Sequence, residues 1–435
     1  MMKTILLIVF LIPLMTSSLI MITQFSYIMI YLMLMCSGCY SYFSQISYFC
    51  GLDYFSYVLI LLSVLIGLFM IISMMNYFNL SMFLLINLCL TFFLVIIFCS
   101  LNFIYMYISF EFVLLPLVIL ILGWGYQPER LMAGMYLFFY TILVSLPLLI
   151  LIMIMYINMG SLFFDYMKYD SKFFLIHFIM IIVFMVKMPM YFVHFWLPRA
   201  HVQAPVSGSM ILAGLMLKIG GYGLIRTMYM YEYMYMYYSF VWFTFSMVGS
   251  LLISMVCLIQ VDIKCLVAYS SVSHMGLVIM GLMTMSNWGL LGSFFLMLGH
   301  GFCSSGLFYV CNVFYTRTGS RSFYINKGLM TYIPSISLYW FLFCAFNMSC
   351  PPSLNFVSEF MILSSMMGYW LNSFIFFSFI SFFCACFSYY LYSYSQHGLY
   401  HNLYSFCSIN LNEFLCMFMH ILPLLTFPLM MISLF

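Results

Sequence analysis

Apolar runs of about twenty residues, repeated with scarcely a charge between them, limit what this chain can become. SYVLILLSVLIGLFMIISMM (56–75) carries no charged residue, and neither does SMFLLINLCLTFFLVIIFCSL (81–101). A bilayer-spanning helix needs about 20 apolar residues. A spanning barrel strand needs about ten, with apolar and polar positions alternating. These runs are continuous and too long for barrel strands, so the sequence predicts an all-α polytopic membrane protein. Composition agrees. Soluble domains carry roughly 25% charged residues, and this chain carries 5%. No soluble fold hides that much apolar surface.

Reading the runs against their breaks predicts about fourteen helices. They cover 4–22, 26–44, 56–75, 81–101, 103–122, 132–157, 173–197, 205–227, 237–259, 264–285, 289–315, 331–367, 371–395 and 413–433. The first imitates a signal peptide, but so many similar segments follow that it reads as a first membrane helix. Helix 7 (173–197) is interrupted by Pro189 and Pro198, and helix 12 (331–367) by Pro351 and Pro352. Two discontinuous helices five apart suggest inverted repeats. The expected division is 1–80 for helices 1–3, 81–227 for a first five-helix repeat (helices 4–8), 237–395 for a second (helices 9–13), and 396–435 for helix 14. Lys3, Lys168, Lys172 and Arg226 on one side, and Arg130, Arg199, Lys264, Arg317, Arg321 and Lys327 on the other, read as cations outside the membrane centre. Their near-even split tilts both termini only weakly to the outer side.

Several function classes have no support. Nothing resembles a nucleic-acid-binding signature. The Gly-Gly-Tyr-Gly at 220–223 lacks the spacing of a phosphate loop and reads as a glycine break. The Cys36–Cys39 CxxC falls inside a predicted span with no second pair, so the cysteines read as small hydrophobes rather than as metal or redox ligands. No flavin, nicotinamide or iron–sulfur motif is present, and the sequence predicts no cofactor or metal site in this chain.

What remains is a small set of ionisable residues inside the oily runs. Glu111, Lys187, Lys218 and Glu359 lie there, with His274 and His300, and His194 and His201 follow Lys187 at intervals of seven. Each ionised group at the bilayer centre costs roughly 2.5–3.5 kcal/mol. Such groups persist by pairing, by hydration, or by exchanging protons, so the set reads as a proton path. The structural alternative is a static buried Glu111–Lys187 salt bridge, and such pairs stabilise poorly. For His194 and His201 the alternative is capping at the helix break. Asp262 with Lys264, and Glu129 with Arg130, read as loop ion pairs of structural weight.

Five segments carry a resemblance. They are GWGYQPERLMAGMYLFFYTILVSLPLL, VKMPMYFVHFWLPRAHVQAPVSGSMILAGLMLKIGGYGLIR, CLVAYSSVSHMGLVIMGL, GHGFCSSGLFYVCNVFYTRTGSRS and YLYSYSQHG. They resemble the chain 4 family of NADH–ubiquinone oxidoreductases, mitochondrially encoded membrane subunits of respiratory complex I, in an arthropod-like form. The resemblance runs from about residue 48 to about residue 400. It implies fourteen helices, antiporter-like inverted repeats and a multi-pass place in the mitochondrial inner membrane. The family's helix 5 glutamate falls on Glu111, its helix 7 and 8 lysines on Lys187 and Lys218, its helix 12 acid on Glu359, and its histidines on His194, His201, His274 and His300. It departs at Arg199 and Gln203, where the family usually has Lys and Glu. The resemblance implies a proton-translocating subunit of a translocase. NADH, FMN, iron–sulfur clusters and ubiquinone are then expected in other subunits. The implied partners are neighbouring antiporter-like subunits and membrane lipids, with no nucleic acid. A stand-alone cation/proton antiporter and a non-conducting spacer of the membrane arm are the alternatives.

Overall fold

The computed structural model describes residues 2–38, 44–74, 79–166, 168, 173–399 and 408–434. Cys39 of the CxxC and Lys172 lie outside them. The regular elements of the described chain are helices, apart from one short hairpin. It begins with α1 (Met2–Phe10), α2 (Ile12–Thr16) and α3 (Ile20–Ser37). The hairpin pairs β1 (Ser44–Ser47) with β2 (Cys50–Leu52). Next come α4 (Tyr54–Ser73), α5 (Leu80–Cys99), α6 (Phe103–Phe112), α7 (Leu114–Trp124), α8 (Arg130–Met159) and α9 (Phe174–Lys187). After a non-helical stretch come α10 (Trp196–Gln203), α11 (Val206–Ile211), a π-helical turn (Leu212–Met216) and α12 (Leu217–Met230). The remainder is α13 (Glu232–Cys257), α14 (Ile263–Met283), α15 (Asn287–Thr318), α16 (Leu329–Tyr332), α17 (Pro334–Asn347), α18 (Leu354–Tyr369), α19 (Ser373–Gln396) and α20 (Leu411–Leu434).

Among the described residues, 11 helices are long and apolar enough to cross a membrane. The expected span 4–22 is in pieces, and 173–197 and 331–367 are interrupted as their prolines predict. Helix formation follows from the medium, because a backbone in hydrocarbon must satisfy its own hydrogen bonds. Buried hydroxyls follow the same rule. Ser63 donates to the Ile60 carbonyl (2.7 Å), Thr91 to Leu88 (3.0 Å) and Ser271 to Ala268 (2.6 Å). Ends are set by local chemistry. Asp53 and Ser56 form a capping box at the start of α4, and Gly319 closes α15 with φ +67°.

The chain divides into two compact units. The first comprises residues 1–187, 203–211 and 218–235. In it α4 packs on α3, α5 and α11, and α8 packs on α7 and α9. The second comprises residues 188–202, 212–217 and 236–435. Its centre is α15, which packs on α14, α17, α18 and α20.

Two breaks differ from expectation. Helix 7 stops at Lys187 and resumes at Trp196, so the interruption surrounds Pro189 alone. Pro198 lies in the first turn of α10, where a missing N–H costs nothing. The Gly-Gly-Tyr-Gly at 220–223 is not a break at all. It is helical, and the irregularity is the π-turn before it. Gly223 is there for close approach, since a Cβ would overlap the Phe184 ring of α9. Helix 12 is interrupted where expected, between Asn347 and Leu354.

Candidate functional site

In the first unit Lys187 is the last residue of α9 and is 2% exposed. Its Nζ lies 4.3 Å from the centroid of the Phe110 ring and makes no hydrogen bond to protein. The ring face stabilises the ammonium through its quadrupole. Glu111 follows Phe110 at the end of α6, half-buried beside Ser145 of α8 and within Coulombic reach of Lys187. The two charges form no ion pair within 4.0 Å, so in place of the direct Glu111–Lys187 bridge of the structural alternative there is an electrostatic contact at longer range. Lys218 is fully buried in α12, just after the π-turn. Such turns are frequent at functional positions.

In the second unit three predicted residues meet. His274 of α14 places Nδ1 3.8 Å from Glu359 Oε1 of α18. The His274 and His300 rings lie 5.6 Å apart at 48°. Asn355, one turn before Glu359, spans the helix break, and its Nδ2 donates to the Phe346 carbonyl of α17 at 2.9 Å. Its packing against Gly299 also fixes α18 beside His300. His194 and His201 stand apart from this trio. His194 lies in the turn after Lys187, stacked on Tyr191 (5.7 Å) and Phe195 (4.5 Å), with Tyr269 edge-on. His201 is fully buried, parallel to Phe308 at 4.7 Å. Lys187, His194 and His201 therefore share no continuous helix face. Phe192, between the first two, holds φ +79°, a rare and strained conformation for an aromatic residue.

Two expected loop pairs do not form. Lys264 is buried on α14 near Arg321 rather than paired with Asp262, and Arg321 donates to the Val202 carbonyl at 2.6 Å. Glu129 accepts a hydrogen bond from Gln203 Nε2 at 3.2 Å, while Arg130 donates to the Gly125 carbonyl. A buried network escaped the sequence reading. Arg226, expected outside the membrane centre, is 7% exposed and pairs with Asp53. Its Nε donates to the Tyr222 hydroxyl, which donates to the Phe98 carbonyl at 3.0 Å. The only signal was the i, i+4 spacing of Tyr222 and Arg226, which names no partner. His177, buried edge-on to Tyr235 at 5.1 Å, was also passed over.

These features define a polytopic, antiporter-like membrane protein with broken helices and interior ionisable side chains. Residues 100–388 match the family model for the membrane domain of NADH:quinone oxidoreductases and Mrp antiporters. Residues 1–97 match the model for the amino terminus of NADH-ubiquinone oxidoreductase chain 4. The chain belongs to the NADH-ubiquinone oxidoreductase chain 4 family. The chain 4 of Ceratitis capitata is 48% identical over 432 residues, covering 98% of this chain and 97% of that one. The Aedes aegypti chain 4 is 50% identical, covering 73% and 72%. The fold is also that of a chain in respiratory complex I from Thermus thermophilus with bound NADH (TM-score 0.88, 19% identity, 98% and 95% covered). A chain of an archaeal membrane-bound sulfane sulfur reductase is similar over 95% of this chain and 71% of its own length (TM-score 0.78, 19% identity).

Proposed function

We propose that this chain is the chain 4 membrane subunit of respiratory complex I in the mitochondrial inner membrane, and that it translocates protons. NADH oxidation and ubiquinone reduction, with the FMN and iron–sulfur groups they need, belong to other subunits. The observation that carries the reading is Lys187. It is a buried cation at the end of a helix that stops among apolar residues, touched by an aromatic face and by no carboxylate. A static salt bridge would need a direct partner. A proton carrier needs an ammonium whose charge is conditional.

In the proposed cycle, a change at the neighbouring antiporter-like subunit moves Glu111 relative to Lys187. Losing that carboxylate's field destabilises the ammonium, and Lys187 releases its proton. The proton passes by way of His194, His201, His274, His300 and Lys218 to Glu359. Arg199 cannot readily give up a proton and acts electrostatically. The division into a first five-helix repeat at 81–227 and a second at 237–395, inverted in topology, and the count of fourteen spans, belong to the same reading. It is supported by interruptions in the seventh and twelfth helical segments.

The test is protons pumped per NADH oxidised in coupled vesicles whose assembled complex carries Lys187→Ala. The expected result is a lower ratio with normal assembly. Parental oxidation and pumping would overturn the path and favour a non-conducting spacer. Activity of the isolated chain as an ion exchanger would favour a stand-alone antiporter.

A further inference from the structure

Helix 12 is interrupted between α17 and α18, yet its two halves are tied together through one carbonyl. The Phe346 oxygen, in the last turn of α17, accepts from the Ser349 backbone N–H at 3.1 Å and from Asn355 Nδ2 at 2.9 Å. Asn355 is buried in the first turn of α18, and Glu359 stands about one helical turn further on. Ser349 closes a ring from the other side, because its hydroxyl lies within hydrogen-bonding reach of the Glu359 carboxylate. Phe346, Ser349, Glu359 and Asn355 are its corners, and the proton-accepting carboxylate is one of them.

A second ring shares the edge from Asn355 to Glu359. The Asn355 amide fills the space left by glycine at position 299, where a Cβ would overlap Oδ1. His300 is the next residue of α15. Its ring lies 5.6 Å from that of His274, whose Nδ1 is 3.8 Å from Glu359 Oε1. Asn355 therefore ties the acid to the helix break on one side and to the two histidines on the other. Ser349 holds φ +59°, a left-handed conformation that disfavours a side chain and that glycine adopts freely. Turn geometry alone would be served better by glycine, so the hydroxyl needs another reason.

We propose that Asn355 and Ser349 are positioning residues for proton exchange at Glu359. Asn355 sets where α18 sits against α15, and Ser349 holds the carboxylate at the break within reach of His274. The inference rests on the proton-translocating reading. Neither residue carries the proton. In the exchange an N–H bond of the His274 imidazolium breaks and an O–H bond of Glu359 forms, leaving a neutral ring and a neutral acid. Ser349 and Asn355 keep their own hydrogens throughout.

Two substitutions test this. Asn355→Leu keeps a branched side chain against Gly299 but removes Nδ2, and the Phe346 carbonyl retains the Ser349 N–H. Ser349→Gly removes the hydroxyl at a position where glycine relaxes the backbone. Protons pumped per NADH oxidised are measured in coupled inner-membrane vesicles, with complex assembly and thermal inactivation alongside and Glu359→Gln as the reference. Misplacing a reacting group by about 1 Å can cost about 100-fold. The expected result is therefore parental assembly and heat stability in both variants, with each losing most of the proton ratio that Glu359→Gln loses. A serine that only shaped the turn would give the opposite in Ser349→Gly, equal or better heat stability with a parental ratio. A parental ratio in either variant while Glu359→Gln is impaired overturns the proposal and leaves the main path intact. A parental ratio in Glu359→Gln overturns both. Should Asn355→Leu fail to assemble, Ser349→Gly decides alone. Failure of Ser349→Gly to assemble would show a hydroxyl that serves the fold, which also overturns the proposal.

Discussion

His274 Nδ1 lies 3.8 Å from Glu359 Oε1, although the two residues belong to helices with another long helix between them in the chain. This is the closest approach of an acid to a base among the predicted proton-path residues. A proton leaving the imidazole needs only a small movement, or one water, to reach the carboxylate.

Glu359→Gln keeps the size of this side chain and removes its proton. Positioned acid–base groups contribute about 10²–10⁴-fold to proton transfer. Proton flow through this chain should therefore fall by at least about 100-fold. The check is protons pumped per NADH oxidised in the assembled complex. Parental stoichiometry would remove Glu359 from the path.

The Asp53–Arg226 pair predicts non-additive stability. Arg226→Met alone strands a buried carboxylate and should cost about 3–5 kcal/mol. Asp53→Asn combined with Arg226→Met should recover most of that, because the amide still accepts at the start of α4 and no buried charge is left. Thermal inactivation of the purified complex, read as a double-mutant cycle, checks it. Additive losses would mean the pair is not coupled.

Gly223→Ala puts a methyl group into the Phe184 ring. Overpacking of this kind costs about 1–3 kcal/mol. Phe184→Leu in the same chain should relieve it. The amount of assembled complex on a native gel, single against double variant, is the readout.

Gln203→Glu would face Glu129, whose Oε2 now accepts from the Gln203 amide. Two adjacent carboxylates raise the protonation range of the pair in the folded state. A folded-state value raised above the unfolded value of about 4.3 gives stability at low pH that is lost as pH rises. The variant should therefore match the parent near pH 5 and lose heat stability progressively above it. A pH-independent difference would refute the carboxylate contact.

Hydropathy made the long helices legible in sequence, because each apolar run satisfies its own backbone wherever it lies in the bilayer. Glu111, Lys187, Lys218 and Glu359 were legible for the complementary reason, since a charge inside such a run is costly whatever its neighbours are. Glycine was misleading at 220–223. Its freedom to break a helix and its room for a packed ring look the same in a string of letters, and the Phe184 ring of another helix decided between them.

Sequence by itself determined which segments are helical and which buried ionisable groups need an explanation. Both are local properties of apolar length and desolvation. Only the tertiary structure decided the partners. It set Lys187 over Phe110, Arg226 against Asp53, Lys264 near Arg321 and His274 against Glu359. Which charge meets which depends on the rotation and register of helices packed from distant parts of the chain. Helix surfaces of nearly uniform hydrophobicity leave no periodic stripe from which that rotation could be read.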